Sequence, residues 1–103
     1  MTHPSQELDD TVHQKTRLGL LTVLAEVRRA DFGYLKEALG LTDGNLSRHL
    51  QVLEEAGYVE TSKVFENRKP RTWVKATKAG RAALDAELAA MRALIQRLDG
   101  ADR

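Results

Sequence analysis

The chain has 103 residues, 42% hydrophobic and 30% charged, with a formal net charge of +1. That length holds one domain, and the absence of cysteine excludes disulfides, thiolate metal sites and cysteine nucleophiles. No apolar run approaches the roughly 20 residues that span a membrane, and the opening MTHPSQELDD lacks the basic and apolar regions of a signal peptide, so a soluble cytoplasmic protein is expected.

Residues 1–7 are polar and predict a flexible lead. Apolar residues then recur at Val12, Leu18, Leu21, Leu24 and Val27, mostly at helical spacing, and predict one long or broken helix over 9–28. Asp31 stands as an N-cap before FGYLKEAL, where Phe32, Leu35 and Leu39 give a short second helix closed by Gly40. Thr42 caps a third helix after a very short turn, and two helices so joined form a helix-turn-helix. Leu46, Leu50 and Leu53 make its apolar stripe, with Gly44, Ser47, Arg48, Gln51 and Glu55 on the opposite side, before Ala56 and Gly57 end it.

Beyond Gly57 the period shortens. Tyr58–Phe65 is rich in strand formers, with Val59, Thr61, Lys63 and Phe65 on one side; Asn67–Pro70 signals a turn; Arg71–Ala76 is a second strand. Pro70 is expected to stop regular pairing at the tip. Thr77 caps a last helix to about Leu98, and residues 99–103 form a tail. The fold class is mainly α with a small β-hairpin, in the order α-α-α-β-β-α, as one domain over residues 8–98. Leu84, Leu88, Met91, Ile95 and Leu98 repeat at four, three, four and three, which is the seam of a helix packing on a helix. Packing on the first helix explains its near half. A helix this long, at about 1.5 Å per residue, outruns so small a core. Its distal half from Met91 is therefore assigned to a dimer interface, with Val12 and Leu88 as further candidates.

Charge is distributed unevenly. Residues 61–81 carry Lys63, Arg68, Lys69, Arg71, Lys75, Lys78 and Arg81 against Glu66, a local charge of +6 that leaves −5 for the rest. Such asymmetry suits a polyanion, although a solvated hairpin carries the same charges.

The strings LTDGNLSRHLQVLEEAGYV and KPRTWVKATKAGRAAL, with Leu8, Asp9, His13, Arg17 and Leu18 before them, resemble the small MarR-like winged helix-turn-helix transcriptional regulators and their ArsR-like relatives. The resemblance covers roughly residues 8–90. It implies sequence-specific binding of operator DNA by a homodimer, usually with repression. Two features depart from the pattern. Lys36 stands four before the turn glycine, where a small residue is favoured, and the thiolate metal box of the ArsR-like group is missing, which puts metal sensing of that kind in doubt.

The residues suit that chemistry. A recognition helix needs short polar groups at its N-terminal end so that the backbone can approach the major groove, and Thr42, Gly44, Asn45 and Ser47 supply them. Arg48 matches the two acceptors of guanine; Asn45 and Gln51 suit adenine. Lys63, Arg68, Lys69 and Arg71 form a basic wing for phosphates or the minor groove. Arg48 paired on a solvated face is the alternative, and Asp43 would repel phosphate if it faced outward. Trp73 faces away from Val74 and Ala76, either covering the hairpin or meeting a partner or ligand. His49, at the edge of the leucine stripe, reads as a partly buried structural histidine rather than a DNA contact or pH switch.

No glycine-rich phosphate loop, HExxH or supported Ser/His/Asp pattern is present, so no enzyme and no cofactor are expected. His3, Glu7, Asp9, Asp10 and His13 offer oxygen and nitrogen metal ligands, but a floppy acidic terminus is the preferred account of them and no metal is expected. The rival reading is a winged-helix module that binds protein instead of DNA. A small-molecule effector between the first and last helices is permitted by such a fold and identified by no residue.

Overall fold

The computed structural model describes residues 3–101. Its elements are α1 (Lys15–Glu26), β1 (Ala30–Asp31), α2 (Phe32–Leu39), α3 (Asp43–Glu55), β2 (Val59–Glu66), β3 (Lys69–Ala76) and α4 (Lys78–Ala101). The mainly helical fold with its hairpin and long last helix is as expected. One strand is new: β1 pairs antiparallel with β3, Ala30 opposite Val74 and Asp31 opposite Trp73, so the sheet has three strands in the order β1-β3-β2.

The first helix begins at Lys15 rather than near residue 9. Gln14 caps it, its side chain accepting from the Arg17 amide at 2.9 Å. Residues 8–14 instead fold back across α4. There the Asp9 amide donates to Glu87 Oε1 at 3.0 Å, and His13 Nδ1 donates to Glu87 Oε2. Val12 reaches the core from this segment and is wholly buried, so its helical-looking spacing reflects burial rather than helix. Pro4–Glu7 form one 3-10 turn against the Ala86, Ala89, Ala90 and Ala93 face of α4. The flexible lead expected over 1–7 is thus placed from His3 onward, and Met1 and Thr2 lie outside the described residues. The expected tail continues α4 to Ala101, with Asp102 and Arg103 outside the described residues.

The helix-turn-helix is built from caps. Asp31 Oδ1 accepts from the Tyr34 amide at 2.7 Å. Gly40 closes α2 at φ 63°, a left-handed conformation that costs glycine little, and the Leu41 amide donates to the Lys36 carbonyl at 2.9 Å. Thr42 Oγ1 then accepts from the Asn45 amide at 3.1 Å and opens α3. Leu20, Leu21, Leu24, Leu35, Leu46 and Leu53 meet beneath this unit, none more than 1% exposed. Val59, Val74 and Leu84 extend the core to the sheet and α4. Each such side chain contributes about 1.5–3 kcal/mol by leaving water, which is what holds α3 at a fixed angle to the hairpin.

The hairpin is tighter than expected. Its turn is Asn67 and Arg68 alone, at φ 50° and 65°, the two-residue geometry whose twist matches paired strands. Pairing continues to Glu66 opposite Lys69 and includes Phe65 opposite Pro70. Pro70 therefore lies inside β3 and does not end the ladder. β1 pairs with β3 only at Val74 and Trp73, so at Pro70 the far side of β3 is an open edge, where a missing N–H costs no ladder bond.

Candidate nucleic-acid interface

The capping that starts α3 leaves its polar face open. Thr42, Gly44, Asn45, Ser47, Arg48 and Gln51 are all exposed, while Leu46, Leu50 and Leu53 are buried. Arg48 donates through a guanidinium nitrogen to Asn45 Oδ1 at 3.0 Å, so the two candidate base readers lie side by side. The alternative of an Arg48 paired on the solvated face is therefore met in the free protein, with Asn45 as the partner. Asp43 forms an ion pair with Lys36 at 2.9 Å. This accounts for both oddities of the sequence: the long residue before the turn glycine neutralises the acid at the head of α3.

Alternation along the strands sets the hairpin's two faces. Val59, Thr61, Lys63 and Phe65 of β2 lie opposite Ala76, Val74, Thr72 and Pro70 of β3 on the inner face. Lys63 and Thr72 line a groove of about 410 Å³ whose other wall is Ser47 and Gln51 of α3. Asp43 and Glu54 line the same groove, which joins α3 to the hairpin. Arg68 and Lys69 are exposed at its end, and neither they nor Lys63 form an ion pair among the described residues.

Not every residue of the basic window is available to a ligand. Arg71 lies on the outer face, 3.3 Å from Asp31 and 3.4 Å from Glu66. Lys75 pairs with Glu60 at 3.5 Å. Arg81 turns inward and donates to the carbonyls of Ala25, Leu24 and Val27 at 3.1, 3.4 and 3.3 Å, capping the end of α1. Local charge counting could not reveal this, because α1 is distant in sequence.

Trp73 covers the outer face. Arg29 stacks 3.7 Å from its ring centre and Arg71 lies at 5.1 Å, a favourable cation–π arrangement, and its indole N–H donates to Glu66 at 3.2 Å. His49 is half-buried and accepts at Nδ1 from the Arg17 guanidinium at 3.2 Å. A guanidinium can only donate, so this contact requires the neutral ring. Burial first, then the charges of Arg17 and Arg48, push its pKa below the ordinary value.

Sequence reasoning missed the polar network behind α3. Glu87 is 1% exposed and holds Asp9 and His13, while the Tyr58 hydroxyl donates to Asp9 Oδ2 at 2.9 Å. That bond and burial raise the Tyr58 pKa. Three of the proposed metal ligands thus have other surroundings: His3 bonds Ser5, and Asp9 and His13 serve Glu87. No group of three His, Asp or Glu side chains able to hold a metal occurs among the described residues.

The dimer candidates separate. Val12 has no exposed surface and belongs to this chain's own core, a correction to its assignment at an interface. Leu88 and Met91 are half-buried, whereas Ile95 and Leu98 are 58% and 70% exposed. No helix among the described residues is long and apolar enough to cross a membrane.

Comparison with known proteins agrees with this geometry. The chain is 46% identical over 67 residues to an uncharacterized protein of Methanocaldococcus jannaschii, a match covering 65% of this chain and 73% of that one. It superposes on a transcriptional regulator homologue from Pyrococcus horikoshii OT3 with a TM-score of 0.88 and 35% identity, over 95% of this chain and 99% of that one. A MarR-family transcriptional regulator from Silicibacter pomeroyi gives 0.67 and 27%, over 93% of this chain and 64% of that one. The sequence family described as the winged helix DNA-binding domain matches residues 16–95, from the start of α1 into the distal half of α4. With a capped helix-turn-helix, a two-stranded hairpin and that match across most of its length, the chain belongs to the winged helix DNA-binding domain family and is MarR-like in structure.

Proposed function

We propose that the protein is a homodimeric transcriptional repressor that reads a specific duplex DNA site. The observation that carries this reading is the groove on which the exposed polar face of α3 meets Lys63 of the hairpin, with Arg68 exposed at the hairpin's tip. The N-terminal half of α3 would enter the major groove, with Arg48 against guanine and Asn45 and Gln51 against adenine. The α3 N-terminus favours phosphate through its free amides, and the Lys36–Asp43 pair lowers the repulsion Asp43 would otherwise exert. Lys63, Arg68 and Lys69 would hold the backbone on either side of the minor groove and supply affinity more than sequence information. Arg71, tied to Asp31 and Glu66, would contribute to this set only after exchanging partners.

Dimerisation is supported by Ile95 and Leu98, which expose apolar surface at helical spacing beyond the reach of the core, with half-buried Met91 before them. A two-fold dimer would present two copies of α3 to half-sites about one helical turn apart, roughly 10 base pairs. Occupying an operator excludes polymerase, which is the basis for repression.

Selection from a random-sequence duplex library tests the proposal. Enrichment of a two-fold symmetric sequence, and lowered expression of a reporter placed behind it, is the expected result. Failure to enrich any sequence would contradict it and favour a module that binds protein.

A further inference from the structure

Phe65 is 74% exposed, the most exposed large hydrophobic side chain among the described residues. It lies opposite Pro70, also exposed, one pair in from the turn. An isolated exposed apolar residue needs no explanation, but this one has three specific neighbours. The first is direction: the Phe65–Pro70 pair shares the inner face with Lys63 and Thr72, which border α3. The second is charge. Lys63 shares the pair's face and Arg68 closes the turn beside it, while Glu66 and its partner Lys69 alternate to the outer face, where Glu66 bonds Arg71 and Trp73. The third is stiffness, since a two-residue turn with ladder pairing up to Glu66 and Lys69 presents the pair in a fixed orientation.

An apolar tip framed by cations and free of acid on its own face complements a polyanion with a stacked apolar interior. A protein partner would need an acidic rim around an apolar pocket, and would not use the alignment of the tip with α3. We propose that Phe65, backed by Pro70, is a wedge that enters the minor groove and partly unstacks a base step beside the sequence held by α3. This rests on the DNA-binding reading above and extends it to a second, indirect source of specificity. Unstacking costs least at pyrimidine–purine steps, so the wedge would select such a step at a position no side chain reads by hydrogen bonds. Apolar side chains between base steps are an established means of kinking a duplex; here Lys63, Arg68 and Lys69 would hold the phosphates on either side.

The test uses the full chain and the duplex enriched by the selection above, with a fluorescent adenine analogue placed in turn at each step flanking the half-sites. Wild type and Phe65→Leu should brighten the analogue at one flanking pyrimidine–purine step. Phe65→Ala should not, and should bind about tenfold more weakly with an unchanged salt slope. Lys69→Ala should keep the brightening and reduce the salt slope by about one. Because Phe65 is exposed, a thermal melt of Phe65→Ala should match wild type. Phe65→Ala that binds and brightens like wild type would overturn the wedge while leaving DNA recognition by α3 intact. So would a Phe65→Ala change confined to self-association of the free protein, which would make the tip a contact with a second copy. Failure of the wild type to bind any duplex would overturn both readings.

Discussion

Arg68 occupies the second turn position at φ 65°, a left-handed conformation that costs a side-chain-bearing residue about 1–2 kcal/mol and glycine almost nothing. Asparagine is among the residue types that adopt positive φ most readily after glycine, whereas arginine is not. An arginine kept where glycine would be more stable points to a use outside the fold. Arg68→Gly should therefore raise unfolding stability by about 1 kcal/mol and weaken binding to every duplex. A variant that is both less stable and equally tight in binding would remove this argument. Arg48 differs in kind. It is exposed on α3 beside Asn45, and Arg48→Ala should cost about 1–3 kcal/mol on the preferred site and little on random DNA. Equal losses on both duplexes would reduce Arg48 to a phosphate contact.

His49 gives a pH dependence with a definite sign. Its folded pKa lies below the ordinary value because of burial and then Arg17 and Arg48. The unfolded chain therefore takes up the proton first as pH falls, and stability present above the ordinary histidine pKa is lost on acidification. The thermal midpoint should fall more between about pH 7 and about pH 5 in wild type than in His49→Gln. An equal fall in both would mean that His49 does not sense pH.

At the scale of elements, α2, α3 and the hairpin were legible because each carries local punctuation: Asp31, Gly40, Thr42 and Gly57 bound the helices, and alternation from Val59 marks the strand. The features that were not legible depend on distant partners. β1 is two residues long, too short for any period, and exists only because β3 lies beside it. Glu87 looks like a polar residue of an amphipathic helix until residues 8–14 fold over it. Pro70 reads as a breaker unless the open edge of β3 is known. On the candidate surface the exposed polar residues of α3 were readable one by one, but that Arg71, Lys75 and Arg81 are engaged within the fold while Lys63, Arg68 and Lys69 form no ion pair among the described residues required the fold.

The same logic divides α4. Its first turn is fixed against the α3–β2 corner: Thr77 Oγ1 donates to the Gly57 carbonyl at 2.6 Å, and a side chain at Gly80 would meet the Tyr58 carbonyl oxygen at 2.0 Å. Its far end bears no comparable restraint. Ile95→Glu and Leu98→Glu should each leave the monomer's melting behaviour nearly unchanged, since both residues are exposed, and should shift sedimentation toward monomer. Retention of a dimer by the double variant would place the interface elsewhere.

For the whole molecule, net charge of +1 predicts little, whereas its distribution predicts where DNA would lie. Lys63 and Arg68, which form no ion pair among the described residues, lie on the hairpin beside α3. Binding that uses these cations releases counterions, so its affinity must fall with salt. A protein-binding module of the same shape would lack that dependence. The central claim, specific recognition of duplex DNA through α3 and the hairpin, is tested most directly by fluorescence anisotropy. The titration would compare the DNA upstream of the protein's own gene with a random duplex of equal length, from about 50 to about 300 mM salt. The account predicts a preference of about a hundredfold or more for the upstream DNA, with a steep salt slope on both. No binding to either duplex at the lowest salt would contradict it.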